Sequence, residues 1–473
     1  MILALACVAQ FMVLLDVSIV NVALPSIKDS LGYSPSALQW VLNAYTLTFA
    51  GFLLLGGRTA DLYGRRRVFL LGIAVFTLSS LLGGFAQDQA MLTGARALQG
   101  LAGAVVSPVT LTIITTTYRD AKARTRAMGI WSAVAGAGGA AGALLGGILT
   151  EEISWRWILF INVPIGIVTL IAGWIFLKES RAESEQRQPL DVLGALLVTG
   201  GLTAVVFGVV STPSNGWTSW QTLAAIGGGA AVLVWFLVHE SRVARAPLMP
   251  LHMFRRRSIW TANLVMLLLS GSLFAMWFFV SLYLQEVRGY TPIGTGLAFV
   301  PQTIAIIVGA QASSRLVLRL GPRPILLFGC ALAAVGLFWF SALGLATDYW
   351  SGFLVPSILM TLGLGLCFTP LAYAATSGVP RHEAGLASGL VNTSRQIGGA
   401  VGLAALATVA TGRTDAVAAV GHLLALTDGY TLAFRIAAVI ALAATASALL
   451  VPGRPRTAPQ IELGAESLAS VAD

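Results

Sequence analysis

Gly57-Arg58-Thr59-Ala60-Asp61-Leu62-Tyr63-Gly64-Arg65-Arg66-Arg67 separates two apolar runs, 37–57 and 68–87. Its glycines allow a tight turn between antiparallel helices. Its four arginines gather at one end of two apolar segments, as in the cytoplasmic loops of membrane proteins. That rule does not explain Asp61. The carboxylate can cap a helix start or pair with an arginine of another helix. A contact of that kind could hold one conformation and release in another. The segment also recurs weakly. Gly64, Arg65-Arg66-Arg67 and an apolar run to Gly72 match Gly321, Pro322-Arg323-Pro324 and an apolar run to Gly329, 257 residues further on. Two related halves are therefore expected.

Composition extends this reading to the whole chain. Of 473 residues, 56% are hydrophobic and 10% charged, and mean hydropathy is +0.82. Soluble domains carry about 25% charged residues, so an ordinary soluble enzyme is excluded. A spanning helix with its loop needs roughly 30–35 residues, which leaves no room for a large soluble domain. Fourteen spans are read, at 3–25, 37–57, 68–87, 90–117, 127–150, 156–177, 191–212, 220–239, 259–284, 294–316, 324–346, 351–376, 387–411 and 431–452. The first lacks a basic leader and a small-residue cleavage site and contains Asp16, so it is not read as a signal peptide. The chain starts almost inside that helix, which points to a start further upstream.

The net charge of +9 matters through its placement, and no nucleic-acid partner is inferred from it. With the N-terminus in the cytoplasm, inner loops hold 22 lysines and arginines and outer loops four, Lys28, Arg156, Arg288 and Arg413. Arg96, Arg395 and Arg435 lie within spans. This asymmetry sets both termini on the cytoplasmic side of a plasma (inner) membrane. The expected division is a six-helix bundle over 1–177, a linker with two inserted helices over 178–257, and a second six-helix bundle over 258–452. A polar, disordered tail over 453–473 completes it. The inserted pair has no ionisable residue between Asp191 and His239. It is expected outside any cavity, bridging the bundles or facing lipid.

Several chemistries are missing from the sequence. There is no phosphate-binding G-x-x-x-x-G-K-[ST], no nucleophile elbow and no H-E-x-x-H. Cys7, Cys330 and Cys367 fall in apolar runs without metal spacing, so neither disulfide, metal nor cofactor is expected. None of the four histidines sits deep in an apolar run. Two related halves with a site at their interface are the plan of secondary transporters, and an ion gradient remains as the energy source.

Leu15-Asp16-Val17-Ser18-Ile19-Val20-Asn21-Val22-Ala23-Leu24-Pro25 closes the first span. Asp16 is the one carboxylate placed firmly at membrane depth, where a charge costs at least ~2.5–3.5 kcal/mol. It reads either as a proton carrier or as a structural carboxylate bonded to a neighbouring helix. In the fourth span Arg96, Gln99, Gly100 and Gly103 share one helix face. Arg96 then either packs inside, where its charge acts on a nearby carboxylate, or snorkels to the surface. Gly138, Gly142 and Gly146, with Gly139, Ala143 and Gly147 alongside, form a small-residue ridge for close packing. The thirteenth span holds Asn392, Arg395, Gln396, Gly398, Gly399 and Gly402, with Arg395 deep. Candidate cavity polar groups are Asn21, Asn43, Gln99, Asn392, Arg395 and Gln396. Candidate aromatic lining is Trp260, Trp277, Phe278, Phe279, Trp339 and Phe368.

In these residues the chain resembles the major facilitator superfamily, and within it the fourteen-helix drug–proton antiporter branch. The likeness covers nearly the whole chain. It rests on the Asp16–Pro25 run, the Gly57–Arg67 loop and the Arg96–Gly103 face. Trp155-Arg156-Trp157 through Asn162-Val163-Pro164, Tyr283-Leu284-Gln285 through Gly289-Tyr290, and Asn392 to Gly399 add to it. One departure is that the branch's fifth-helix motif has Gly-Pro where this chain has Gly142-Ala143, so no kink is forced there. The resemblance implies an all-α major facilitator fold of two six-helix bundles plus two inserted helices. It implies a monomeric transporter, not an enzyme, that exports small amphipathic compounds against protons by alternating access. Asp16 and Arg96 would serve proton coupling. Gly57, Asp61, Gly64, Arg65 and Arg66 would form a gating loop. A dedicated exporter of one endogenous metabolite and a proton symporter are the alternatives. A non-transporting sensor or scaffold would need a soluble module, and the longest loop has about 20 residues. The spans hold three arginines against one aspartate, and Glu286 and Asp348 lie near outer ends. Neutral, monocationic or anionic amphiphiles fit that balance.

Overall fold

The computed structural model describes residues 1–118, 120–181, 189–379 and 383–453. Among them are fourteen helices of 15 residues or more. They are α1 (Ile2–Leu31), α2 (Trp40–Tyr63), α3 (Arg65–Gly84), α4 (Gln89–Thr117), α5 (Ala121–Glu152), α6 (Asn162–Phe176) and α7 (Val192–Val210). The others are α8 (Trp220–Val238), α9 (Arg257–Leu282), α10 (Pro292–Leu320), α11 (Pro322–Phe340), α12 (Val355–Thr376), α13 (Ala384–Ala416) and α14 (His422–Ala448). No strand occurs among the described residues. Hydrocarbon offers the backbone no hydrogen bonds, and helices satisfy their own. Twelve of these segments are long and apolar enough to cross a bilayer. The other two, α5 and α13, are the longest, with 32 and 33 residues.

Each span read from the sequence falls on one of these helices. The sixth is divided: one turn at Trp157–Phe160 precedes α6, whose first turn carries Pro164. The tail beyond Gly453 lies outside the described residues, as do Arg119, Arg187 and Arg381.

The 257-residue offset reappears in the backbone. Gly64 and Gly321 both have positive φ, 104° and 80°, and both start the next helix. Only glycine takes such angles without strain. Packing repeats as well. In the first half α1 packs on α4, α5 and α6, α2 on α4, and α3 on α4 and α6. In the second half α9 packs on α12, α13 and α14, α10 on α12, and α11 on α12 and α14. Every pairing recurs eight helices later. The halves meet where α2 lies on α13, α5 on α10 and α1 on α9.

The remaining two helices, α7 and α8, pack chiefly on each other. Gly201 and Gly229 let their backbones approach closely. α7 also lies in the seam between α2 and α13, where Leu202 and Val206 meet Leu47, Ala400 and Ala404. α8 leaves Trp220, Leu223, Val234 and Trp235 exposed. At one end of the pair, Asp191 meets His239 at 2.8 Å. Beside them, Glu240 accepts from the Met249 amide at 2.8 Å.

Candidate functional site

Asp16, halfway along α1, is fully buried. Three side-chain nitrogens surround its carboxylate. Arg96 Nη1 donates to Oδ2 at 2.5 Å, and Gln99 Nε2 and Asn162 Nδ2 donate to Oδ1 at 3.0 and 2.9 Å. Arg96 and Gln99 are one helical turn apart on α4, and Asn162 opens α6. The donors are themselves held. Arg96 Nε donates to the Val41 carbonyl of α2 at 3.1 Å, and its guanidinium lies 4.6 Å from the Tyr45 ring centroid. Gln99 Oε1 accepts from Arg96 Nη1 at 2.9 Å, and Gln99 Nε2 also donates to Ser80 Oγ of α3 at 2.5 Å. Five helices of the first half thus converge on one carboxylate.

The sixth, α5, presses on α1 beside it. A Cβ on Gly142 would stand 1.8 Å from Ser18 Oγ and 2.8 Å from the Leu15 carbonyl. Gly138 and Gly146 are just as close to the carbonyls of Phe11 and Ile19, whereas Gly147 faces Pro292 of α10. The ridge is a packing surface, with one glycine reaching across the halves.

Of the two readings left open for Arg96, the interior one holds, since the side chain is 1% exposed. A buried pair of this kind is neutral as a unit, but losing either partner leaves an uncompensated charge. Among the described residues two buried polar atoms beside it, Tyr45 Oη and Asn162 Oδ1, have no protein partner, and neither has Asn43 Oδ1 on α2.

The other predicted residues scatter. Gln99 belongs to the Asp16 network, so its amide is not free to line a cavity. Asn43 is buried, with Nδ2 3.4 Å from Gln39 Oε1. Asn21 is half-buried, and its own carbonyl accepts from Ser281 Oγ of α9 at 2.6 Å. Gln396 is buried, whereas Asn392 and Arg395 are half-buried and bonded to each other at 3.1 Å. Trp339 is exposed on the bundle surface, and Phe279 belongs to the second-half core with Tyr430 and Phe434.

In the Gly57–Arg67 loop Asp61 of α2 pairs with an arginine of the next helix, Arg65 at the start of α3, and not with one of the other half. The two meet at 3.1 Å, four residues apart. Longer links come from its neighbours. Arg58 donates to the carbonyls of Ala246 and Pro247, both at 2.5 Å, in the linker before α9. Arg66 donates to the Trp174 carbonyl of α6 at 2.7 Å, and a Cβ on Gly64 would strike Glu179. Gly57 lies over Pro108 of α4.

Sequence reasoning missed two features. Asn162 stood in a family-like stretch without a role of its own. Gln302 on α10 is fully buried and, among the described residues, neither of its amide atoms has a partner; its signal was a lone amide in an apolar run. At the end of the bundle opposite the Gly57–Arg67 loop, the halves are tied together. Lys28 pairs with Glu286 at 2.6 Å, Tyr430 donates to Glu286 at 3.2 Å, and Gln285 donates to the Val22 carbonyl at 2.9 Å. Among the described residues no cluster of three or more potential ligands could hold a metal.

Known proteins place this architecture. Over 97% of its length, and 93% of the other's, the chain is 44% identical to the cephamycin export protein of Amycolatopsis lactamdurans. It is 39% identical to the puromycin resistance protein of Streptomyces alboniger, over 96% of this chain and 91% of that one. A solved structure from work on proton-dependent oligopeptide transporters matches with a TM-score of 0.65 at 16% identity, covering 95% of this chain and 98% of that chain. An inward-facing bacterial homologue of the human lysosomal transporter Spinster gives 0.64 at 15% identity, over 95% and 96% of the two chains. These two show the fold. The sequence model of the Major Facilitator Superfamily matches residues 6–403, and the chain belongs to that superfamily of multi-pass membrane transporters for small molecules.

Proposed function

We propose that the protein is a proton-coupled exporter of small amphipathic compounds, working by alternating access across the plasma membrane. The observation that carries this reading is the buried Asp16–Arg96 pair with its Gln99 and Asn162 donors. While Asp16 is charged, it draws α1, α4 and α6 together. A proton on Asp16 removes the charge that holds Arg96, which keeps only the Val41 carbonyl, Gln99 and the Tyr45 ring. α1 also packs on α5, and α1, α2 and α5 are the first-half helices that lie on the second half. Protonation in one half thereby biases how the halves meet. The exported compounds are antibiotic-like, as the names of the two similar proteins suggest for them. A protein dedicated to one such product is the second reading, favoured by the cephamycin exporter's name.

The topology follows the charge asymmetry. All fourteen helices cross, both termini and the Gly57–Arg67 loop are cytoplasmic, and the Lys28–Glu286 end is outer. The described state is then closed to the outside. The bundles are 1–177 and 258–452, and the unit is a monomer. Everted vesicles with a panel of dyes and antibiotics, with and without a proton gradient, test the activity. Asp16→Asn is expected to fold and to lose proton-driven flux about a hundredfold, the scale of a buried charge partner. Undiminished driven flux would remove Asp16 from the mechanism. The inserted helices α7 and α8 serve stability and not transport. Cysteines along 195–210 and 222–236 are expected to react slowly with a water-soluble thiol reagent, whatever substrate is present. A stripe of reactive, substrate-protected positions would place the pair in the pathway instead.

A further inference from the structure

Three arginines lie in the apolar belt, and their surroundings differ. Arg96 is paired with Asp16. Arg435 on α14 is exposed on the outside of the bundle, where a long side chain can reach the polar zone. Arg395 on α13 does neither. It is enclosed by protein, yet part of its surface stays open. Its Nε donates to Asn392 Oδ1, and among the described residues no carboxylate pairs with it. Nη1 and Nη2 donate to no protein atom there.

The neighbours of α13 fix the direction in which Arg395 points. Ser394, Gly398 and Gly402 face α9: Ser394 Oγ donates to Asn263 at 2.7 Å, and the two glycines lie against the backbone at Leu267 and Gly271. Gly389 faces Leu54 of α2, and Ala400 and Ala404 pack with Leu47 of α2. Val401, 36% exposed, marks the outer surface of the bundle. At about 100° per residue, Asn392 lies opposite Val401, and Arg395 lies between Asn392 and the α9 stripe. That side of α13 lies between its contacts with α9 of one half and those with α2 of the other. One turn further along, Gly399 meets the ring of Phe274, which contacts Trp277 edge-on at 6.3 Å between centroids. Both aromatic rings are half-buried.

An enclosed guanidinium cannot shed its charge and is costly without a counter-ion. Its planar fork matches a carboxylate through two parallel hydrogen bonds. We propose that Arg395 binds the carboxylate of a transported anionic amphiphile, whose apolar body lies against Phe274 and Trp277. Asn392 positions the guanidinium by fixing Nε. This assignment rests on the export reading and narrows it to substrates bearing one negative charge.

The test uses dansyl-leucine and dansyl-leucinamide, which share an apolar body and differ by the carboxylate. Binding is read by fluorescence on the full-length protein in lipid nanodiscs, and flux in everted vesicles. The wild type is expected to prefer the acid by about tenfold, a single charge-assisted contact in scale. Arg395→Gln is expected to abolish the preference by weakening the acid alone. Arg395→Lys keeps charge without the fork, should retain part of it, and decides the matter if the Gln variant does not fold. Equal affinity for the two compounds in the wild type overturns the proposal. So does equal weakening of both by Arg395→Gln, or a full preference kept by Arg395→Lys. Displacement of the acid by inorganic phosphate alone as well as by unlabelled leucine derivatives would overturn the amphiphile part, since a bare oxyanion would then suffice. Vesicles that drive neutral dyes but show no acid preference defeat this proposal alone. Vesicles that drive nothing defeat the export reading.

Discussion

Asp16 accepts from three donors, and Asn162 is the one that comes from α6. Among the described residues its amide has no other hydrogen-bond partner, and Oδ1 is buried and unbonded. Asn162 therefore acts through Asp16. Asn162→Leu keeps the branching of the side chain at some added bulk and removes a hydrogen bond to a charged group, which is worth about 1.5–3 kcal/mol. Proton-driven flux is expected to fall about tenfold or more, while substrate exchange without a gradient is kept. An equal loss of both would make Asn162 a packing residue only. Asp16 could be read from the sequence because a lone acid in an apolar run is conspicuous. Ser80 and Asn162 could not, because hydroxyl and amide groups in spans often serve only their own helix. Thr46 donates to the Leu42 carbonyl and Thr77 to that of Ile73, each four residues back. Such residues look the same in sequence as Ser80, which accepts from Gln99.

The helix α5 shows how much of an element's function is shape. Its glycines look alike in sequence, but their surroundings are opposite. Gly142 is seated on α1, with Ser18 Oγ and the Leu15 carbonyl inside the space of any added Cβ, whereas a Cβ on Gly139 would meet nothing within 4 Å beyond its own helix backbone. A carbonyl cannot swing away, so Gly142→Val must push α1 from α5 in the turn that holds Asp16. Gly142→Val is expected to lower the melting temperature and the membrane yield sharply, and Ser18→Gly should rescue little. Gly139→Ala should be neutral or stabilising by up to about 1 kcal/mol, the helical difference between the two residues. Equal damage from both substitutions would mean that the ridge does not pack as described. The missing Gly-Pro is understandable here, because Ala143 is buried against α10, where its carbonyl lies close to Gly296. The four-residue stride foretold a ridge, but which partner each glycine meets depends on α1 and α10.

Across the whole molecule, the pairing of helices repeats with the offset that Gly64 and Gly321 revealed, so the division into halves was present in the chain. The tie between the halves was not, because it joins residues 258 positions apart that share no motif. Lys28 ends α1, and Glu286 lies in the turn after α9. They are 24% and 16% exposed, close enough to water to be weak individually. Around them Ser281 donates to the Asn21 carbonyl and Gln285 to that of Val22, so one pair sits in a zipped seam. If this seam is the outer gate, reversing one charge should open it. Glu286→Lys sets two ammonium groups face to face and leaves Tyr430 without its acceptor. Ser281 is fully buried in the seam, and the three native cysteines are buried too, so Ser281→Cys is a clean reporter. A membrane-impermeant thiol reagent added outside intact cells should label it slowly, and about tenfold faster with Glu286→Lys, a shift of about 1.4 kcal/mol in the open population. The exchanged pair, Lys28→Glu with Glu286→Lys, restores attraction and should return labelling to its slow rate. Slow labelling in all three backgrounds would show that the seam does not depend on the ion pair. Fast labelling in the exchanged pair would show that Glu286 acts through Tyr430 and not through Lys28.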